Sequence, residues 1–190
     1  MVNKLKSMKN SSIIICIFQL LLACHSKKVA VVKSPLLKEV DATTTLNPSI
    51  LDCPTDGICT TKILKNQILI VKSDEFGHLY FITEQSTLFS VIIFEYKKNN
   101  VKGYKDGNYS EDIIFEIKNT DTKLTLQDES LNKTKMLFGK HCYCKGQAGY
   151  YVIKKGNLLL EQKKEEIQFE INFEISDVPH IIKQIKSTVK

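Results

Sequence analysis

The stretch EEIQFEINFEI, residues Glu165–Ile175, decides the fold. Ile167, Phe169, Ile171, Phe173 and Ile175 recur at every second position, with Gln168, Glu170, Asn172 and Glu174 between them. A period of two puts the first set on one face of an extended chain and the second on the other. This is the pattern of a half-buried strand, and its acids are its solvated face. The same period runs outward from it. In EDIIFEIKN, residues 111–119, Ile113, Phe115 and Ile117 share a face. In TLFSVIIFEYKK, residues 87–98, Leu88, Ile92, Phe94 and Tyr96 are in step, but Phe89, Val91 and Ile93 are apolar too. That segment reads as a central strand buried on both faces.

Turn signals separate the strands: KNQ at 65–67, SDEFG at 73–77, KDGN at 105–108, NTD at 119–121 and KKGN at 154–157. The last predicts a hairpin turn between YYVI and LLLEQ, with Gly156 at positive φ. About eight to ten short strands with frequent turns predict a mainly β protein, an antiparallel β-sandwich or small barrel. The C-terminal SDVPHIIKQIKSTVK reads differently. Asp177 suits an N-cap and Pro179 a first helical turn. Val178, Ile181, Ile182, Ile185 and Val189 form one stripe, so a short C-terminal α-helix packed on the sheet is expected.

The N-terminus is a targeting segment. Lys4, Lys6 and Lys9 precede an apolar run from Ile13 to Ala23. The run is shorter than the ~20 residues a spanning helix needs, and a positive start before it marks a secretory signal. Its end, Leu21-Leu22-Ala23-Cys24, resembles the lipobox of bacterial lipoproteins. The resemblance implies cleavage after Ala23 and lipid attachment at Cys24. Residues 1–23 are then the signal peptide. Residues 24–51, broken by Pro35 and Pro48, are the lipidated N-terminus and a flexible tether with a reach of roughly 25–30 Å. Residues 52–190 are the globular β-domain. His25, rather than an aspartate, follows the cysteine, which in such lipoproteins implies an outer-membrane location, here facing the periplasm. The expected partner of this end is the membrane, through the lipid.

All 27 basic residues are lysine; there is no arginine. Loss of the three signal-peptide lysines, with no acid among residues 1–23, lowers the net charge from +6 to +3. A mildly basic surface without arginine, the usual bidentate reader of phosphate and guanine, argues against nucleic-acid binding.

The strongest local signal for a site is FGKHCYCKGQAGYY, Phe138–Tyr151. Cys16 leaves with the signal and Cys24 takes the lipid, so Cys53, Cys59, Cys142 and Cys144 remain. An even number in an exported chain predicts two disulfides. If Cys142 and Cys144 lay on one strand, their Cα atoms would be ~6.5–7 Å apart, the upper edge of disulfide geometry. That favours bonding each of them to Cys53 or Cys59, in either of the two cross-paired ways. An alternative is a metal or thiol-redox site of His141, Cys142 and Cys144. Tyr143, Tyr150 and Tyr151 are candidates for a binding surface. No nucleophile elbow, zincin helix, phosphate loop or paired-carboxylate motif stands out, so no catalytic residues are assigned and no cofactor is called for. CPTDGICT, DEFGHLYF and LFGKHCYCKGQAGYY, with the Lys/Asn/Ile-rich composition, make the body resemble small uncharacterised lipoproteins of Bacteroidota. That resemblance carries no activity. The expected function is binding of an envelope protein or ligand by a tethered, disulfide-stabilised β-domain.

Overall fold

A computed structural model of the chain describes residues 53–100 and 108–190. The expected signal peptide, lipidated Cys24 and tether, and most of the KDGN turn, lie outside the described residues. Among the described residues eleven strands form two antiparallel sheets. The larger runs β1 (Gly57–Leu64), β4 (Phe89–Lys98), β5 (Ser110–Lys118), β7 (Leu137–His141), β8 (Gly149–Val152), β3 (Leu79–Gln85) and β2 (Gln67–Ser73). The smaller runs β11 (Gln184–Val189), β10 (Glu166–Glu174), β9 (Lys155–Lys163) and β6 (Lys123–Gln127). A 3-10 turn, Asp128–Thr134, leads from β6 to β7.

The alternation places the core. Ile167, Phe169, Ile171 and Phe173 of β10 and Leu158 and Leu160 of β9 pack against Ile92, Phe94 and Tyr96 of β4 and Ile113, Phe115 and Ile117 of β5. Facing sheets with one shared core make a sandwich; neither sheet closes on itself. The second apolar face of β4 also has a cover. Hairpin β2–β3 folds over the outside of the large sheet, burying Leu69 on Val91 and Ile114, with Ile93 and Phe81 beside them. Leu88, placed in the strand by its phase, lies just before β4 and is exposed. The backbone of β2 is tied to that face by side chains. Leu69 N–H donates to Glu116 Oε2 at 2.9 Å, Lys135 Nζ donates to the Leu69 carbonyl at 2.7 Å, and Lys135 and Glu116 pair at 2.9 Å. Without them this backbone would present unpaired ladder groups to other chains.

Two expectations fail here for physical reasons. The C-terminal helix does not form: Gln184–Val189 is β11, paired from Ile167↔Val189 to Asn172↔Gln184. β10 pairs β9 along one edge, and the backbone groups of its other edge need partners that a helix cannot supply. Ile185, Ser187 and Val189 face inward. Ser187 breaks the apolar alternation, and its hydroxyl is accommodated by Thr61 Oγ1 at 2.8 Å. The KKGN segment is not a hairpin turn either. It carries the chain from β8 in one sheet to β9 in the other. Gly156 does take positive φ, 141°, but inside β9, where a Cβ would overlap the Asn172 carbonyl oxygen and come within 2.8 Å of Phe173 Cα. Gly156→Ala therefore meets both a backbone penalty and a backbone clash. We expect a loss above ~1 kcal/mol in urea unfolding, with an unchanged m-value.

Candidate functional site

Both disulfides are local, which corrects the cross-paired expectation. Cys53 bonds Cys59 and Cys142 bonds Cys144, with Cα separations of 5.9 and 5.2 Å. The sheet order gives the reason. Cys59 pairs across to Tyr96, Tyr96 to Glu111 and Glu111 to Lys140. Three strand spacings, ~14 Å, separate β1 from β7, far beyond disulfide reach. The objection to a Cys142–Cys144 bond assumed an extended strand, but β7 ends at His141 and the chain turns at once. Sequence separations of six and two close small loops. The chain-entropy treatment gives them about 2.5 and about 1.5 kcal/mol, against ~4–5 for the long loops of a cross-paired arrangement.

The small ring has a local consequence. Tyr143, between two bonded cysteines, stands off the sheet and is 91% exposed. Beside it is a cavity of about 320 Å³. The register builds its floor: Lys97 of β4 pairs with Ser110 of β5, and Ser110 with His141 of β7, one row across three strands. Asn108 and Tyr109, before β5, and Cys142 and Tyr143, after β7, complete the rim.

His141 is held by a second row. Its Nε2 lies 3.0 Å from Asp112 Oδ2. Asp112 is opposite Gly139, where a Cβ would collide with the carboxylate, so glycine leaves room for the pair. The Tyr150 ring packs edge-on at 5.5 Å from the imidazole. The hydrogen bond to Asp112 raises the His141 pKa above its ordinary 6.5 against the opposing effect of burial, and the charges of Asp112 and Glu95 add to it. Burial, with Asp112 nearby, pushes the Tyr150 phenol up to about 12. The Tyr109 phenol is raised by burial and by its bond to Glu111.

The fold thus brings His141, Cys142 and Tyr143 together but scatters the tyrosines. Tyr150 lies on the outer face against Phe81 and His141. Tyr151, one residue on, turns inward onto Phe138 and donates to the Gln147 carbonyl at 3.0 Å. The metal alternative loses its thiolates, since Cys142 and Cys144 are bonded to each other. Among the described residues no group of three His, Cys, Asp or Glu side chains is arranged to hold an ion. Lys97, Ser110 and Asp112 were not singled out from the sequence, because only strand register assembles them. A second cavity, about 290 Å³, lies at the opposite end of the sheets by the Lys163–Glu166 turn, where Lys190 already reaches Glu166 at 3.8 Å.

Fold and site together define a disulfide-bonded, all-β sandwich domain with a preformed pocket at one end of the larger sheet. Comparison with family models, with curated proteins and with solved structures finds no match.

Proposed function

We propose that the chain is a lipoprotein anchored through Cys24 to the periplasmic face of the outer membrane. Its β-domain is a binding module for an envelope protein or ligand. The lipobox-like end of the signal segment supports the anchor. One observation carries the binding reading: the Cys142–Cys144 ring constrains the backbone that carries Tyr143, exposed on the rim of a cavity. A backbone constrained before a partner arrives loses less conformational freedom on binding, and tyrosines are among the residues that dominate contact energies. Among the described residues around the cavity no hydrogen bond joins the Ser110 hydroxyl to His141, so binding without chemistry is the simpler use of it.

A photo-crosslinking residue placed at 143 in intact cells, compared with one at Leu88, tests the binding half. We expect a discrete adduct from 143 and none from 88. Equal labelling from both positions, or none from 143, would remove the reading. Anchoring is read separately by fractionation, where Cys24→Ser should move the protein from membrane to soluble fractions.

A further inference from the structure

We infer that the cavity beside Tyr143 takes an oxyanion, the carboxylate or phosphate group of a small ligand. This rests on the reading of that cavity as a binding site and adds the ligand's chemistry to it.

Lys97, Ser110 and His141 lie in one row on the cavity floor. Lys97 brings an ammonium and Ser110 a hydroxyl. Asn108 has its amide oxygen occupied by Asn100 Nδ2 at 2.8 Å, which leaves its own N–H groups as the polar atoms to offer. Tyr143 adds a phenol on the rim. Among the described residues lining the cavity there is no carboxylate. Of the acids outside that lining, Asp112 and Glu111 are engaged by other groups, while Glu95, two residues before Lys97 on β4, is near enough to act on the His141 charge. Asp112 Oδ2 is on His141 Nε2, and Glu111 accepts from Ile181 N–H, Ile182 N–H and Tyr109. A concave site whose described lining carries donors and a cation but no carboxylate is complementary to an oxyanion, and charge-assisted hydrogen bonds are the strong ones. Its volume is at the small end of ligand sites, the scale of one headgroup or one acidic residue rather than a large cofactor.

His141 makes the site pH-dependent. With Nε2 engaged by Asp112, its Nδ1 donates to a ligand only in the charged ring. The groups facing the ring are Asp112 and Ser110 on β5, Glu95 and Lys97 on β4, and Tyr150 on β8. Asp112 and Glu95 favour the charged form, and Lys97 opposes it until a ligand neutralises both cations. Binding should therefore be strongest below the His141 pKa and weaken as pH rises through it.

The test uses the whole mature protein, followed by NMR at the amides of Ser110 and His141. Sodium acetate is titrated in one arm and inorganic phosphate in another, each against sodium chloride at matched ionic strength. We expect a saturating shift with acetate, phosphate or both, and which arm saturates identifies the oxyanion. Binding should weaken about tenfold in Lys97→Gln, the scale of one charge-assisted hydrogen bond. Acetate binding should also weaken as pH rises through the raised His141 pKa in the unaltered protein, but much less in His141→Gln. Shifts that track chloride, never saturate, or ignore both substitutions would overturn the proposal. A crosslink from position 143 with no oxyanion response would overturn it while leaving the binding reading intact.

Discussion

Glu111→Ala should unfold at a temperature lower by roughly 10–15 °C, a loss of about 3–5 kcal/mol. Glu111 is in phase with Ile113, Phe115 and Ile117 on the inner face of β5, and it is 0% exposed. Its carboxylate accepts the N–H groups of Ile181 and Ile182, each at 2.7 Å, and the Tyr109 hydroxyl. Its cross-strand neighbour Lys140, 3% exposed, donates to the Pro179 carbonyl at 2.8 Å and to Gln147 Oε1 at 2.9 Å. The connector from β10 to β11 is thus gripped through both kinds of backbone group: an acid takes its N–H groups and a base takes a carbonyl. Alanine strands two buried N–H donors, at ~1–3 kcal/mol each, and removes the acceptor of the Tyr109 hydroxyl. Against a domain stability of ~5–15 kcal/mol this is a large fraction. Glu111→Gln keeps one acceptor and should lose about half as much. Hydrogen exchange separates this from a general loosening, because the Ile181 and Ile182 amides should lose protection first in Glu111→Gln. A melting temperature within about 2 °C of the unaltered protein in Glu111→Ala would show that the connector is held by the burial of Val178 and Ile182 alone.

That grip marks where sequence reading stops. The phase of β5 was plain in EDIIFEIKN, and the same phase places Glu111 among core positions. Alternation could have flagged it as a buried acid, but its partners lie about 70 residues away, and only the fold supplies them. The strand at Glu165–Ile175 was legible because every second residue is apolar and its other face is solvated. The doubly buried character of β4 was legible too, although the cover, hairpin β2–β3, was not. The C-terminal strand was misread because Val178, Ile181, Ile182, Ile185 and Val189 fit a helical stripe, while Ser187 hides the period of two. The demand that decided it came from β10's open edge, a tertiary fact. At the site, His141, Cys142 and Tyr143 are contiguous and stood out. Lys97, Ser110 and Asp112 joined them only through a register that no single segment contains. The cysteine pairing failed for the same reason: strand order, not spacing, sets the distance from β1 to β7.

Phe115→Ala should cost about 3–5 kcal/mol, comparable to the loss of Glu111 but by another route. Phe115 is at the centre of the larger sheet's inner face and is fully buried. Its ring meets Phe169 of β10 edge-on, centroids 5.4 Å apart at 76°, so the pair spans the two sheets. Truncation removes the transfer energy of the ring and opens a void that rigid neighbouring strands cannot close, whereas Phe115→Leu should lose markedly less. Urea unfolding should show a lower midpoint at an unchanged m-value. Phe169→Ala alone and with Phe115→Ala completes a cycle, whose coupling should be ~0.5–1.5 kcal/mol for an edge-to-face pair. Additive losses would mean that the rings contribute through burial separately. Ser110 and Asp112 are on the same strand as Phe115 but face outward. While Phe115→Ala remains folded, the oxyanion response at Ser110 and His141 should persist with unchanged affinity. If it weakened in step with stability, the outer row would depend on inner packing, and the pocket would not be the rigid, preformed feature that the register and the Cys142–Cys144 ring define.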